Sequence, residues 1–123
     1  MAPSYTRLHM VPEITVTELS EKLKSQDSFI LLDVRELDEL EYARITDDRL
    51  QVTPMSSLAS NGIEVLSESA KSQTAEIYVL CHHGTRSAQV TGWLAQQGWS
   101  NIKSVQGGID AYARRIDSSV GSY

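Results

Sequence analysis

Two short apolar runs limit what this chain can fold into more than any other feature of the sequence. The first covers residues 29–32 and is followed by Asp33, and the second covers residues 77–80 and is followed by Cys81. Apolar runs of this length without polar alternation are typical of strands that are covered on both faces. Because segments with helical periodicity separate the strand candidates, the sequence predicts an α/β fold with a mainly parallel sheet and helices on both faces.

The segments around these runs complete the α/β pattern. Thr15 and Glu18 have the spacing of a capping box and predict the start of a helix. Gly98 is well placed to end a later helix in the left-handed conformation. We also predict a short acidic helix at residues 36–42 and a weak strand at 51–54. Two helices are predicted at residues 56–71 and 87–97, a strand at 102–105 and a last helix at 107–116. We interpret residues 1–12 as an N-terminal extension, 13–116 as the domain and 117–123 as a flexible C-terminal tail.

Composition excludes several classes of protein. A chain of 123 residues with 41% hydrophobic and 22% charged residues is expected to form one soluble domain with its own core. Its net charge of −5 argues against a nucleic-acid partner. We expect no membrane partner, because there is no apolar run of about twenty residues. The first residues lack the apolar stretch of a signal peptide, and one cysteine cannot form an internal disulfide. The expected location is therefore cytoplasmic.

Residues 81–87, Cys-His-His-Gly-Thr-Arg-Ser, form what we call the Cys81 loop. It follows a predicted buried strand, and ligands of open α/β sheets bind at the carboxyl ends of strands. A tight loop at a helix start turns backbone N–H groups inward, which favours a thiolate at Cys81. Gly84 allows unusual backbone angles, Arg86 offers a planar cation, and Thr85 and Ser87 offer hydroxyl groups. This pattern predicts attack by the Cys81 sulfur on a small anionic substrate.

Each of these residues also has a simpler interpretation. Cys81 alone would most often be a small buried hydrophobic residue, but the Gly-x-Arg-Ser continuation argues against that as its whole role. His82 and His83 suggest a metal together with Cys81. Three consecutive residues cannot converge on one ion, however, and no second ligand cluster is evident in the sequence. We therefore predict no metal and no cofactor, and we interpret both histidines as loop residues that set polarity and access.

The segment Asp33-Val34-Arg35 is predicted to support the Cys81 loop. If the strands before Asp33 and Cys81 are parallel, both residues emerge at the same edge of the sheet. A carboxylate there can anchor Arg35 or the backbone of a loop. The acidic residues that follow are interpreted as a solvated helix face, namely Glu36, Asp38, Glu39 and Glu41.

Four segments together resemble single-domain rhodaneses over residues 13–116. They read ITVTEL at residues 14–19, LLDVRE at 31–36, CHHGTRS at 81–87 and QGGIDAY at 106–112. The resemblance implies an α/β fold around a five-stranded, mainly parallel sheet. It also implies that Cys81 takes a sulfane sulfur from a donor such as thiosulfate, holds it as a persulfide, and passes it to cyanide or to a small or protein thiol. The rest of the Cys81 loop is then expected to surround the sulfur, with the side chain of Arg86 facing the anion and Asp33 and Arg35 in support.

One segment departs from the family pattern. Residues 43–50, Ala-Arg-Ile-Thr-Asp-Asp-Arg-Leu, stand where the family usually has Gly-His-Ile followed by a Pro-Gly-Ala turn. This segment is expected at the rim of the site, where it would influence the choice of acceptor.

Two other functions are open at this point. The first is phosphatase or arsenate reductase chemistry on the same architecture, but four residues separate Cys81 from Arg86, one fewer than in the related cell-cycle phosphatases. A smaller loop fits a single sulfur atom better than a phosphate group. The second is a non-enzymatic interaction module, against which the presence of both Cys81 and Arg86 argues.

Overall fold

A five-stranded sheet forms the centre of the protein in a computed structural model that describes residues 11–123. The strands follow the order β1-β5-β4-β2-β3, and all four pairings are parallel. Their bounds are β1 (Glu13–Ile14), β2 (Ile30–Asp33), β3 (Leu50–Val52), β4 (Ile77–Leu80) and β5 (Ile102–Val105). The predicted α/β fold with a five-stranded sheet is thus confirmed.

In the described part of the chain four α-helices flank the sheet, with bounds α1 (Val16–Lys24), α2 (Met55–Asn61), α3 (Thr85–Gln96) and α4 (Gly108–Arg115). Short 3-10 helices cover Leu37–Glu41, Gly62–Val65 and Ser118–Val120. Helix α1 begins with the predicted capping box, in which the Glu18 N–H donates to Thr15 Oγ1 and the Thr15 N–H donates to the Glu18 carboxylate. Gly98 follows α3 with a φ of +116°, as its sequence position predicts. Among residues 11–123, no helix has both the length and the apolar character needed to cross a membrane.

The sheet separates two hydrophobic cores. Leu31 and Leu80 face α1 and α4 on one side, whereas Leu32 and Val79 face α2 and α3 on the other. Successive side chains of a strand point to opposite faces, so a strand that is buried on both faces must be apolar at every position. This explains why the two apolar runs of the sequence have no polar interruptions.

The helix predicted over residues 56–71 is wrong in its second half. Helix α2 ends at Asn61 because Gly62 adopts a φ of +70° with a ψ of −157°, which cannot continue a helix. Beyond the 3-10 helix, Ser67 Oγ accepts a hydrogen bond from the Ala70 N–H. The Trp99 indole then donates to the Ala70 carbonyl at 2.8 Å. Side chains therefore form the hydrogen bonds of the Ala70 N–H and carbonyl groups, which would pair with other backbone groups in a helix.

The two ends of the described chain both contact the domain. Residues 1–10 of the predicted N-terminal extension lie outside the described residues, but the Pro12 carbonyl accepts from the Ser104 N–H at the edge of the sheet. Residues 117–123 differ from the expected flexible tail. The Arg44 N–H donates to the Val120 carbonyl at 2.8 Å, and Ala43 forms an antiparallel bridge with Gly121. The segment that departs from the family pattern is thus paired with the last residues of the chain.

Candidate active site

The predicted site residues meet at the carboxyl edge of the sheet. Asp33 at the end of β2 is in register with Leu80 at the end of β4, and the Val34 N–H donates to the Leu80 carbonyl at 2.9 Å. Asp33 and Cys81 therefore leave the sheet side by side, which is the placement that parallel strands predict.

Backbone amides of the Cys81 loop converge on the sulfur. The N–H groups of Gly84 and Ser87 donate to Cys81 Sγ at 3.1 and 3.2 Å. Gly84 has a φ of +102°, which bends the chain back over the sulfur just before α3 begins. Cys81 is only 1% exposed. Two amide donors aimed at one sulfur atom stabilise negative charge on it, so the loop is suited to a nucleophilic thiolate.

Two hydroxyl groups extend this environment beneath the sulfur. Ser87 Oγ lies 3.4 Å from Cys81 Sγ and 2.8 Å from Ser104 Oγ on β5. Both serines are fully buried. The contribution of Ser104 could not be read from the sequence, because it depends on β5 lying next to β4. The side chains of His83 and Thr85 are directed to the exposed side of the loop.

Helix α4 holds the Cys81 loop from the other side. The Ile109 N–H donates to the Cys81 carbonyl at 2.9 Å, and the Asp110 N–H donates to the His82 carbonyl at 3.0 Å. A Cβ on Gly108 would lie 2.3 Å from the His82 carbonyl oxygen and 2.5 Å from that of Cys81. Gly108 is therefore needed so that the helix start can approach the loop this closely.

The sequence predicts that the side chain of Arg86 faces the substrate anion, and in the structure its guanidinium is already bound by a carboxylate. Its two terminal nitrogens donate to the two carboxylate oxygens of Glu39 at 2.7 and 2.8 Å. These hydrogen bonds are the main reason why the pKa of Glu39 falls from 4.5 to about 2. Arg86 thus ties the Cys81 loop to the 3-10 helix at Leu37–Glu41. The interpretation of Glu39 as part of a solvated surface is wrong.

Asp33 and Arg35 form a fully buried ion pair beside this contact. Arg35 Nη2 donates to Asp33 Oδ2 at 2.8 Å, and Nε donates to Oδ1 at 3.0 Å. The Nη1 group of Arg35 donates to the Ala43 carbonyl at 2.9 Å and to the Tyr123 hydroxyl at 3.2 Å. Asp33 anchors Arg35, as the sequence suggests, and Arg35 in turn positions the segment beginning at Ala43.

Tyr123 is an unexpected member of the site. Its ring stacks on the ring of His82 with the centroids 3.7 Å apart and the planes at 7°. Its hydroxyl donates to Glu39 at 2.8 Å. Burial first, and then the neighbouring charge of His83, lowers the pKa of His82 below its usual value. The only indication of this contact in the sequence is that Tyr123 is aromatic, whereas most residues of 117–123 are small and polar.

The structure also brings Asp110 to the two histidines. One potential ligand atom from each of His82, His83 and Asp110 lies within 4.8 Å of the others. Two of these three residues are already engaged, because Arg114 contacts Asp110 at 2.7 Å and His82 Nε2 donates to the Tyr123 carbonyl at 2.9 Å. We therefore assign no metal to this cluster, and the absence of a metal remains a prediction.

Comparison with known proteins identifies relatives of the whole domain. The family model described as a rhodanese-like domain matches residues 15–115. A sulfurtransferase from Allochromatium vinosum is 35% identical over 105 residues, which cover 85% of this chain and 91% of that protein. A solved structure of a rhodanese-related protein from Thermoplasma volcanium has a TM-score of 0.68 and 30% identity, and the match covers 85% of this chain and 93% of that one.

Other curated relatives are longer than this chain. A chloroplastic rhodanese-like/PpiC domain-containing protein from Arabidopsis thaliana is 33% identical over 116 residues, which cover 92% of this chain but 38% of that protein. A putative sulfur carrier protein from Bacillus subtilis is 29% identical over 99 residues, which cover 80% of this chain and 49% of that protein. The similarity to these two proteins therefore concerns one part of each.

Proposed function

Because the chain belongs to the rhodanese-like sulfurtransferase family, we propose that it transfers a sulfane sulfur from a small anionic donor to a nucleophilic acceptor through a persulfide on Cys81. Thiosulfate is the donor we propose, and cyanide or a small or protein thiol is the acceptor. The observation that carries the proposal is the pair of N–H groups, from Gly84 and Ser87, that donate to Cys81 Sγ.

In the first step the Cys81 thiolate attacks the outer sulfur of thiosulfate. A bond forms between the two sulfur atoms as the bond to the sulfite group breaks, and sulfite leaves with the bonding electron pair. Negative charge is present on the thiolate before attack and on the leaving group afterwards. Backbone N–H groups that are fixed before the reaction stabilise such charge without having to reorganise.

In the second step cyanide or a thiolate attacks the outer sulfur of the persulfide. The bond between the sulfur atoms breaks, the acceptor leaves with one sulfur atom, and Cys81 returns to the thiolate. The same N–H groups then receive the charge that returns to Sγ. Arg86 supports both steps indirectly, because its ion pair with Glu39 fixes the end of the loop from which the Ser87 N–H projects.

Mass spectrometry after incubation with thiosulfate tests the proposal. We expect one added sulfur atom on Cys81, removed by cyanide and absent from Cys81→Ser, which is nearly isosteric. Glu21→Gln is the control, because the Glu21 side chain is 72% exposed on α1 and lies outside the Cys81 loop. If wild type gains no sulfur from any sulfane donor, or Cys81→Ser gains it equally, the proposal is wrong. An interaction module would show no loading, and a phosphatase would instead hydrolyse an aryl phosphate.

A further inference from the structure

Tyr123 contacts one end of the Cys81 loop directly and is linked to the other end through Glu39. Its ring lies flat on His82 with a centroid separation of 3.7 Å, and its carbonyl accepts from His82 Nε2 at 2.9 Å. Its hydroxyl donates to Glu39, the carboxylate that holds Arg86. Since His82 and Arg86 lie near opposite ends of the loop, the Tyr123 side chain connects one end to the other.

The sulfur is almost completely covered, so access to it depends on the groups that surround it. Cys81 is 1% exposed, whereas a donor or an acceptor must contact Sγ directly. Buried backbone hydrogen bonds fix the loop from within, through the Gly84 and Ser87 N–H groups, and from α4. Tyr123 is 38% exposed and none of its hydrogen bonds is to the sulfur. Its displacement therefore leaves the hydrogen bonds to Sγ intact.

The chain next to Tyr123 offers a way to displace the ring without removing it. Gly121 has a φ of +96° and forms a bridge with Ala43. A Cβ at this position would lie 2.3 Å from the Tyr42 carbonyl oxygen. Because this oxygen belongs to the backbone, Gly121→Ala must push the segment that carries Tyr123 away from residues 42–43.

We propose that Tyr123 is a specificity-determining residue that closes the outer side of the Cys81 loop and selects by size what reaches the sulfur. A small oxyanion such as thiosulfate passes beside the ring. A thiol carried by a peptide or a protein reaches Cys81 only when the ring leaves His82. The biological meaning of this inference rests on the proposed function, but access to Sγ can be measured with any reagent that modifies a thiol.

The test compares a small and a bulky thiol reagent, because the single cysteine of the chain makes each report on Cys81. Rates with iodoacetamide and with fluorescein maleimide are measured for wild type, Tyr123→Ala and Tyr123→Phe. We expect the bulky-to-small rate ratio to rise about tenfold in Tyr123→Ala, which loses its stacking on His82 and Tyr42 and both hydrogen bonds of the hydroxyl. The rise should be smaller in Tyr123→Phe, which keeps the stack. Leu37→Ala, at a side chain that is 68% exposed on the nearby 3-10 helix, should retain the wild-type ratio.

A purely structural role for Tyr123 would change both rates by the same factor, so an unchanged ratio in Tyr123→Ala overturns the proposal. If that variant does not fold, Gly121→Ala decides in its place, with a raised ratio in support and an unchanged ratio against. Thiosulfate loading, measured by mass spectrometry on the same samples, separates the two proposals. If the protein gains sulfur from thiosulfate but the bulky-to-small rate ratio is unchanged in the variant, only the role of Tyr123 is overturned. If the rate ratio is raised but the protein gains no sulfur, the role of Tyr123 is supported and sulfur transfer is overturned.

Discussion

Arg86 and Glu39 lie 47 positions apart in the chain and form an ion pair in which both terminal nitrogens of the guanidinium bind both oxygens of the carboxylate. Such two-point pairs fix orientation as well as distance, because the planar groups must face each other. The pair is only partly exposed, with 30% of the Arg86 side chain and 18% of the Glu39 side chain accessible. It therefore joins the end of the Cys81 loop to a segment that lies two strands earlier in the chain.

Breaking this pair should slow sulfur transfer. Arg86→Ala removes the contact that positions the Ser87 N–H, and a displacement of about 1 Å at this donor would slow thiosulfate turnover by up to about 100-fold. Arg86→Lys should recover part of the rate, since an ammonium group restores charge but not the planar geometry. If the two residues act as a unit, Arg86→Ala combined with Glu39→Gln should be little slower than Arg86→Ala alone. Steady-state turnover with thiosulfate and cyanide measures this, and turnover indifferent to Arg86 would contradict the assigned role.

The same pair should give the protein a characteristic loss of stability in acid. The pKa of Glu39 is lowered from 4.5 to about 2, mainly by the hydrogen bonds from Arg86. A depressed carboxyl pKa contributes stability that is fully present above pH 4.5 and is lost as the pH falls towards 2. Thermal unfolding of wild type and Glu39→Gln across this range should show their difference in stability shrinking as the pH falls. A constant difference would mean that Glu39 is not stabilised as a carboxylate.

Gly108 should not tolerate a side chain. In Gly108→Ala, backbone strain at φ +64° adds to a clash with two carbonyl oxygens of the Cys81 loop. Strain of about 1–3 kcal/mol and overpacking of about 1–3 kcal/mol should destabilise the protein and prevent sulfur loading. Gly62→Ala is a matched control, since Gly62 also has a positive φ but its Cβ would meet nothing within 4 Å. Denaturant unfolding should show that Gly62→Ala is also destabilised by backbone strain, whereas mass spectrometry should show normal sulfur loading, because no contact with the Cys81 loop is disturbed. Equal effects of both substitutions would argue against the close approach of α4.

The buried pair of Asp33 and Arg35 should matter far more for folding than surface pairs do. Both side chains have no exposed surface, so Asp33→Asn leaves a buried guanidinium without its counter-charge and should cost about 3–5 kcal/mol. Glu21 pairs with Lys24 at the surface, where the side chains are 72% and 73% exposed. Glu21→Gln should therefore change the free energy of unfolding by no more than about 0.5 kcal/mol. Urea unfolding of both variants compares these two losses of stability. Similar unfolding midpoints for Asp33→Asn and Glu21→Gln would contradict the prediction.

The sequence predicts those parts of the site that depend on local pattern and on parallel strands. Runs that are apolar at every position identify β2 and β4, and their parallel arrangement places Asp33 beside Cys81. The Thr15 capping box is visible in the sequence because a capping box depends on residues only three positions apart. The partners of Arg86 and of Ser87 could not be predicted in this way. Glu39 reaches the Cys81 loop from the connection between β2 and β3, and Ser104 reaches it from β5, and such contacts leave no periodic signal.

The position of the tail could not be predicted for a different reason. Small polar residues near a chain end are compatible with disorder, and nothing in their local pattern distinguishes a segment that pairs with residues 43–44. Tyr123 finds partners only because Arg35, Glu39 and His82 already face the same space in the folded domain. The contact is a product of tertiary structure, as is the end of α2 at Gly62, where backbone conformation overrides an ambiguous pattern.

The hydrogen bonds from α4 to the carbonyls of Cys81 and His82 have a consequence for the order in which the site can form. A fragment that stops before Gly107 would contain every residue of the Cys81 loop, yet it would lack the donors at Ile109 and Asp110 that hold the loop in place. Contacts between distant parts of a chain form only after the entropy of closing the intervening segment has been overcome. During synthesis Cys81 is therefore expected to leave the ribosome on an open loop. The contacts around Cys81 are completed only when α4 docks, so a complete set of these contacts requires that the domain has folded up to this helix.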